Sequence, residues 1–118
     1  MAVEPLWIFL VTGFVALSAA LSAGAINKLP DEDKPKFAQS RNGLVTVILA
    51  GNLAALTLVG AMAYGFRNLD WWIPLSCMFI TFPVLHVALM QKALGDVRNL
   101  FLTMPLVVAA IGALYYYW

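Results

Sequence analysis

The sequence predicts an all-α, polytopic membrane protein built as a bundle of four transmembrane helices. Four apolar stretches, at about Pro5–Ala25, Leu44–Phe66, Trp71–Gln91 and Leu100–Trp118, fill most of the 118 residues. Each holds about 20 residues, and at about 1.5 Å per residue that matches a hydrocarbon core about 30 Å thick. Hydrophobic residues make up 63% of the chain and charged residues 11%, against about 45–50% and about 25% in soluble domains. A chain this short has too little polar surface to enclose four all-round apolar helices in water. Lipid is therefore the solvent, and residues 1–118 read as one transmembrane domain.

The first stretch could be mistaken for a signal peptide, since Ala23-Gly24-Ala25 resembles a cleavage site. However, no Lys or Arg precedes it, it carries Glu4, and it is close to span length. It reads as the first transmembrane helix. The connection Ile26–Gly43 gathers Lys28, Asp31, Glu32, Asp33, Lys34, Lys36 and Arg41, and Pro30 and Pro35 keep it from forming one continuous helix. Phe66–Asp70 reads as a tight turn after the second span. In the third span Pro83 removes a backbone donor, frees the carbonyl of Phe79 and predicts a kink. Lys92–Asn99, with Gly95, reads as a short polar connection. Pro105 stands near the start of the fourth span, where it predicts a similar disturbance.

Orientation follows from the basic residues. Lys28, Lys34, Lys36 and Arg41 lie in the first connection, Lys92 and Arg98 in the third, and Arg67 alone in the second. Basic connections stay on the cytoplasmic side, so both termini are expected on the non-cytoplasmic side. Trp7, Tyr64, Trp71, Trp72 and the Tyr115–Trp118 tail then gather at the outer ends, at headgroup level. Small residues spaced by four on the first span (Ser18, Ala20, Ser22, Gly24) and the second (Ala50, Gly51, Ala54, Ala55, Ala61, Gly65) allow close helix contact. They predict that these two helices pack on each other or on copies in an oligomer.

The net charge of +1 gives no reason to expect nucleic acid as a partner. The single cysteine, Cys77, lies inside the third span and reads as a small buried apolar residue. Polar groups within the spans are few. Asn52 stands in the second span and His86 in the third. Gln39, Arg41 and Asn42 precede the second span, Gln91 closes the third, and Arg98 and Asn99 precede the fourth. All lie toward one face of the membrane. Arg41, Asn42, Asn52, His86 and Arg98 are the candidate ligand-binding residues, where an arginine would meet an anionic group. For Asn52 the favoured reading is a helix–helix hydrogen bond. His86 admits a structural, a proton-relay or a haem-ligand role, with haem disfavoured because a lone histidine would need a methionine or a second chain opposite it. Ser76, Thr57, Thr81 and Thr103 are expected to bond back to their own helices. No span interior carries Asp or Glu, which disfavours a proton-coupled exporter. No nucleophile–base pair, phosphate loop or metal-ligand spacing is present, and no catalytic residue is assigned.

The layout resembles the membrane-associated eicosanoid and glutathione metabolism (MAPEG) family. Its second helix opens on an Arg-Ala-(Gln/His)-x-Asn-x-x-Glu pattern. The corresponding stretch here reads Phe37-Ala38-Gln39-Ser40-Arg41-Asn42-Gly43-Leu44-Val45. Asn42 matches the family asparagine, and Ala38-Gln39 echoes the Ala-Gln pair one position out of register. The family arginine falls on Ala38 and its glutamate on Val45. The family's third-helix Arg-x-x-(His/Tyr)-x-x-x-Tyr pattern falls on Pro83, His86 and Met90, and its Leu-Arg on Val97-Arg98. The resemblance implies a small four-helix scaffold, a homotrimer, and glutathione as the ligand of a working site. With the arginine, glutamate and tyrosine positions unmatched, the favoured reading is a non-catalytic accessory subunit of a membrane protein complex, with lipid and other membrane subunits as partners. The alternatives are a MAPEG-type enzyme taking glutathione or a lipidic substrate at its cytoplasmic half, and a small channel or transporter.

Overall fold

The computed structural model of the chain describes residues 5–118, and for Asp31 the backbone alone. Glu4, expected at the outer edge of the first span, lies outside the described residues. Every regular element among them is helical. They are α1 (Pro5–Lys28), a 3-10 turn (Asp31–Asp33), α2 (Lys36–Gln39), α3 (Arg41–Asn68), α4 (Trp72–Ser76), α5 (Phe82–Leu85) and α6 (Lys92–Tyr117). Two π-helical turns, Cys77–Thr81 and His86–Gln91, join α4 to α5 and α5 to α6. The protein is an all-α, polytopic membrane protein. Three helical runs are long and apolar enough to cross a bilayer: Pro5–Lys28, Arg41–Asn68 and Trp72–Tyr117.

The third run is 46 residues long. Straight, it would reach about 69 Å at 1.5 Å per residue, yet the longest dimension of the whole molecule is 47 Å. It turns back at Gly95, whose φ of 75° and ψ of 164° are not helical. That region of backbone space is closed to side chains other than hydrogen. His86 before the turn and Asn99 after it both hydrogen-bond Ser18, so the two arms lie side by side against α1. The sequence placed a polar connection over Lys92–Asn99. Helical structure instead continues on both sides of one residue, because a helix satisfies its own backbone whatever its side chains.

The first connection is ordered by its prolines. Pro30 and Pro35 are extended residues that each begin a short helical turn, with Asp33 N–H donating to the Pro30 carbonyl at 2.9 Å. Lys34 folds its ammonium back onto the Leu29 carbonyl, and Gln39 donates to the Lys34 carbonyl at 2.8 Å. Ser40 then caps α3, its hydroxyl oxygen accepting from Gly43 N–H at 3.1 Å. A Cβ on Gly43 would stand 1.4 Å from the Phe37 carbonyl oxygen, so only glycine admits this joint. The cap starts α3 at Arg41, three residues before the expected Leu44.

Packing falls into three levels. At the end carrying both termini, Ile8, Phe9, Leu17, Leu58, Met62, Tyr64, Phe82 and Leu114 form the main apolar cluster. Phe9 and Phe82 approach with ring centroids 5.6 Å apart. Midway, Ala19, Ala54 and Val107 meet, and at the far end Ala23, Ile26, Ala38, Val47 and Leu100 close the bundle. The small-residue contact between the first two long helices is present, with the Cβ of Ala23 only 3.0 Å from a Cβ built on Gly51. Ser18 and Ser22 are not part of it. They point toward the arms on either side of Gly95. The disturbance expected at Pro83 takes the form of the two π turns that flank α5, widened turns that accommodate the missing donor. The outside is apolar: Leu49, Leu56, Val59, Phe79, Ile80, Val84, Phe101 and Val108 are all exposed.

Candidate functional site

Among the described residues, the interior polar groups gather in a cluster built where α1 crosses the two arms. Ser18 and Ser22 are one turn apart on α1 and both fully buried. His86 opens the second π turn, is 3% exposed, and places Nδ1 2.8 Å from Ser18 Oγ. Beyond Gly95, Asn99 is fully buried and donates from Nδ2 to Ser18 Oγ at 2.8 Å and to Ser22 Oγ at 2.7 Å. Ser22 donates to Asp96 Oδ1 at 3.3 Å, and the same oxygen stands 4.0 Å from His86 Nε2. Gln91 donates to the other carboxylate oxygen at 3.3 Å. Below the cluster, Thr103 donates to the Asn99 carbonyl at 2.7 Å.

The donors and acceptors fall into one consistent order. Asn99 supplies its two amide hydrogens to the two serines. Ser18 is left to donate to His86 Nδ1 and Ser22 to Asp96. The ring hydrogen then belongs on Nε2, facing the carboxylate, which is the electrostatically favoured side. One atom stays outside this order. Asn99 Oδ1 is buried with no hydrogen-bond partner, a circumstance that costs about 1–3 kcal/mol.

Hydroxyl, imidazole and carboxylate in a row resemble a nucleophile chain, but Ser18 has no exposed surface for an acyl group to reach. Both ring nitrogens of His86 face groups of their own chain, Ser18 and Asp96, so axial ligation of a haem iron would have to open one of those contacts. Among the described residues no three His, Cys, Asp or Glu side chains gather to hold a metal ion.

Of the residues singled out from the sequence, His86 lies in this cluster. Arg41 and Asn42 are exposed in the first turn of α3, Asn52 is exposed farther along it, and Arg98 is exposed on α6. Asn52 lines a groove of about 230 Å³ between α1 and α3, with Ala20, Gly24, Asn27, Gly51 and Ala55. Thr57 bonds back to the Leu53 carbonyl at 2.8 Å, as Thr103 does within α6, so those two threonines serve their own helices. Sequence reasoning missed Asp96 as a partner of His86 and assigned Ser18 and Ser22 to helix contact. The available signal was two serines four apart in a span, facing a turn that carries Asp96 and Asn99 around a glycine.

No protein-family model matches the chain, and neither curated proteins nor solved structures yield a match. What stands is a small, mostly helical, multi-pass membrane protein. The finer resemblance to the MAPEG family gains no support from these comparisons.

Proposed function

We propose that the chain is a non-catalytic accessory subunit of a membrane protein complex, a four-crossing protein whose outer face docks on another membrane helix. In this reading the Trp72–Tyr117 run crosses twice, with Gly95 at the turn. Both termini share the non-cytoplasmic side, and the basic Lys28–Arg41 and Lys92–Arg98 connections face the cytoplasm.

Asn52 carries the proposal. It stands about three turns into α3, exposed on an apolar surface, and makes no hydrogen bond among the described residues. An amide facing hydrocarbon without a partner is unfavourable by several kcal/mol. A polar group on a neighbouring helix removes that penalty, and the small residues beside Asn52 let a helix backbone come close. The interior points the same way. Its polar side chains bond mainly to one another, and Arg41, Asn42 and Arg98 do not line the groove beside Asn52.

Native mass measurement on protein extracted gently from its own membrane tests this. The expected result is a stable assembly containing this 12.9 kDa chain with other polypeptides, weakened by Asn52→Leu. A bare homotrimer whose melting temperature rises with millimolar glutathione would replace this reading with a MAPEG-type enzyme.

A further inference from the structure

We infer that His86 and Asp96, with Ser18 and Asn99, form a proton-binding site loaded from the polar end of the bundle. A cluster that only glued helices together would need no ionisable group, since hydroxyls and amides bond across membrane helices on their own. Here the chain's single histidine is 3% exposed inside a span, with a carboxylate oxygen 4.0 Å from Nε2. Ionisable groups at such depth are rare and mark proton or ion sites. Among the described residues, Asp96 is the one charged group that faces the ring. The other groups packed against it or its carboxylate are uncharged: Ser18 and Ser22 from α1, Asn99 from α6, and Gln91 from the second π turn. The Asp96 side chain is 23% exposed, so the pair has a way to water that Ser18 and Asn99 lack.

Loading is balanced and local. A hydronium ion that reaches the ring on its Asp96 side, with the ring turned to present Nδ1 there, gives its proton to the Nδ1 lone pair and leaves as water, and the ring turns back carrying one positive charge. Nδ1–H then donates to Ser18 Oγ, and the Ser18 hydroxyl turns its hydrogen to a carbonyl of its own helix, the usual alternative for a helical serine. Nε2–H and the Asp96 carboxylate become an ion pair. Asp96 follows the Gly95 turn directly, so the proton tightens the grip between the two arms.

Solid-state NMR of the full chain in lipid bilayers, with nitrogen-labelled histidine, reads this directly because one residue gives the whole signal. At pH 8 one ring nitrogen is expected bare and the other protonated. At pH 5 both are expected protonated, reversibly, and the distance from Nε2 to the Asp96 carboxylate shortens from 4.0 Å to a hydrogen bond of about 2.8 Å. D96N is expected to lower the ratio of doubly to singly protonated ring at pH 5 about tenfold, the effect of removing an opposite charge within about 4–6 Å. A ring that stays singly protonated down to pH 4.5, a distance that does not change, or a D96N ratio equal to wild type would each overturn the proposal. The wild-type distance decides the matter if D96N does not fold.

Discussion

Asn99 and Asn52 are the same side chain in opposite circumstances. Asn99 is fully buried, bonded to two serines through one nitrogen, and leaves its oxygen without a donor. Asn52 is exposed and makes no hydrogen bond among the described residues. Asn99→Ala removes the two serine contacts, relieves the orphaned acceptor and opens a small space. The serines can recover partners on their own helix, so the net loss should stay near about 1–2 kcal/mol. Asn52→Ala should leave the unfolding free energy of the isolated chain unchanged within about 0.5 kcal/mol. In the assembled complex it should weaken association about threefold to twentyfold, as the loss of one interhelical hydrogen bond of about 0.6–1.7 kcal/mol would. Reversible unfolding in detergent measures the first pair of numbers, and titration of complex dissociation measures the last. The sequence exposed His86 as a polar group in a span, because nothing around it in the chain is polar. It hid Asp96, which reads as one charge in a charged turn until the turn folds back onto α1.

At the scale of elements, the decisive position is Gly95. Its backbone angles lie where a Cβ is strained even though the space around it is open. Gly95→Ala should destabilise the fold by about 1–3 kcal/mol. Gly112→Ala is the control: it sits in ordinary helix, with nothing within 4 Å of its added Cβ. There the higher helix propensity of alanine predicts a neutral or slightly stabilising change, at most about 1 kcal/mol. The same thermal or denaturant unfolding series reads both, and equal losses at the two sites would remove the special role of the turn. Gly95 was legible as a break. Its extent was not, because charges at Lys92, Asp96 and Arg98 suggest a loop, whereas a helix end at the membrane boundary carries charges without leaving its own hydrogen-bond ladder. The π turns around Pro83 were legible only as a kink. How a helix absorbs a missing donor depends on what packs beside it, here Phe9 and Phe14 against Phe82.

The whole molecule is a bundle with its two ends unlike each other. One end gathers aromatic rings: Tyr64 lies 6.2 Å from Trp118, and the Arg67 guanidinium sits 5.9 Å from the Trp118 ring. The other end carries the proline-ordered basic connection and the turn at Gly95. This division was readable from the sequence because lipid imposes it: about 20 apolar residues per crossing, aromatics at headgroup level, cations on one side. Which faces stay uncovered was not readable, since apolar residues point outward and inward alike when lipid is the solvent. The orientation itself makes a sharp expectation. In a background where Cys77 is replaced by Ala, a membrane-impermeant maleimide should label Glu32→Cys and Arg98→Cys from the cytoplasmic side, and Tyr116→Cys only from the opposite side. All three native side chains are exposed, so failure to label reflects the membrane and not burial. Labelling of Glu32→Cys and Tyr116→Cys from the same compartment would mean that the chain crosses an even number of times between them. With α3 crossing once, the two arms of the Trp72–Tyr117 run could then not both cross, and the four-crossing arrangement would fall.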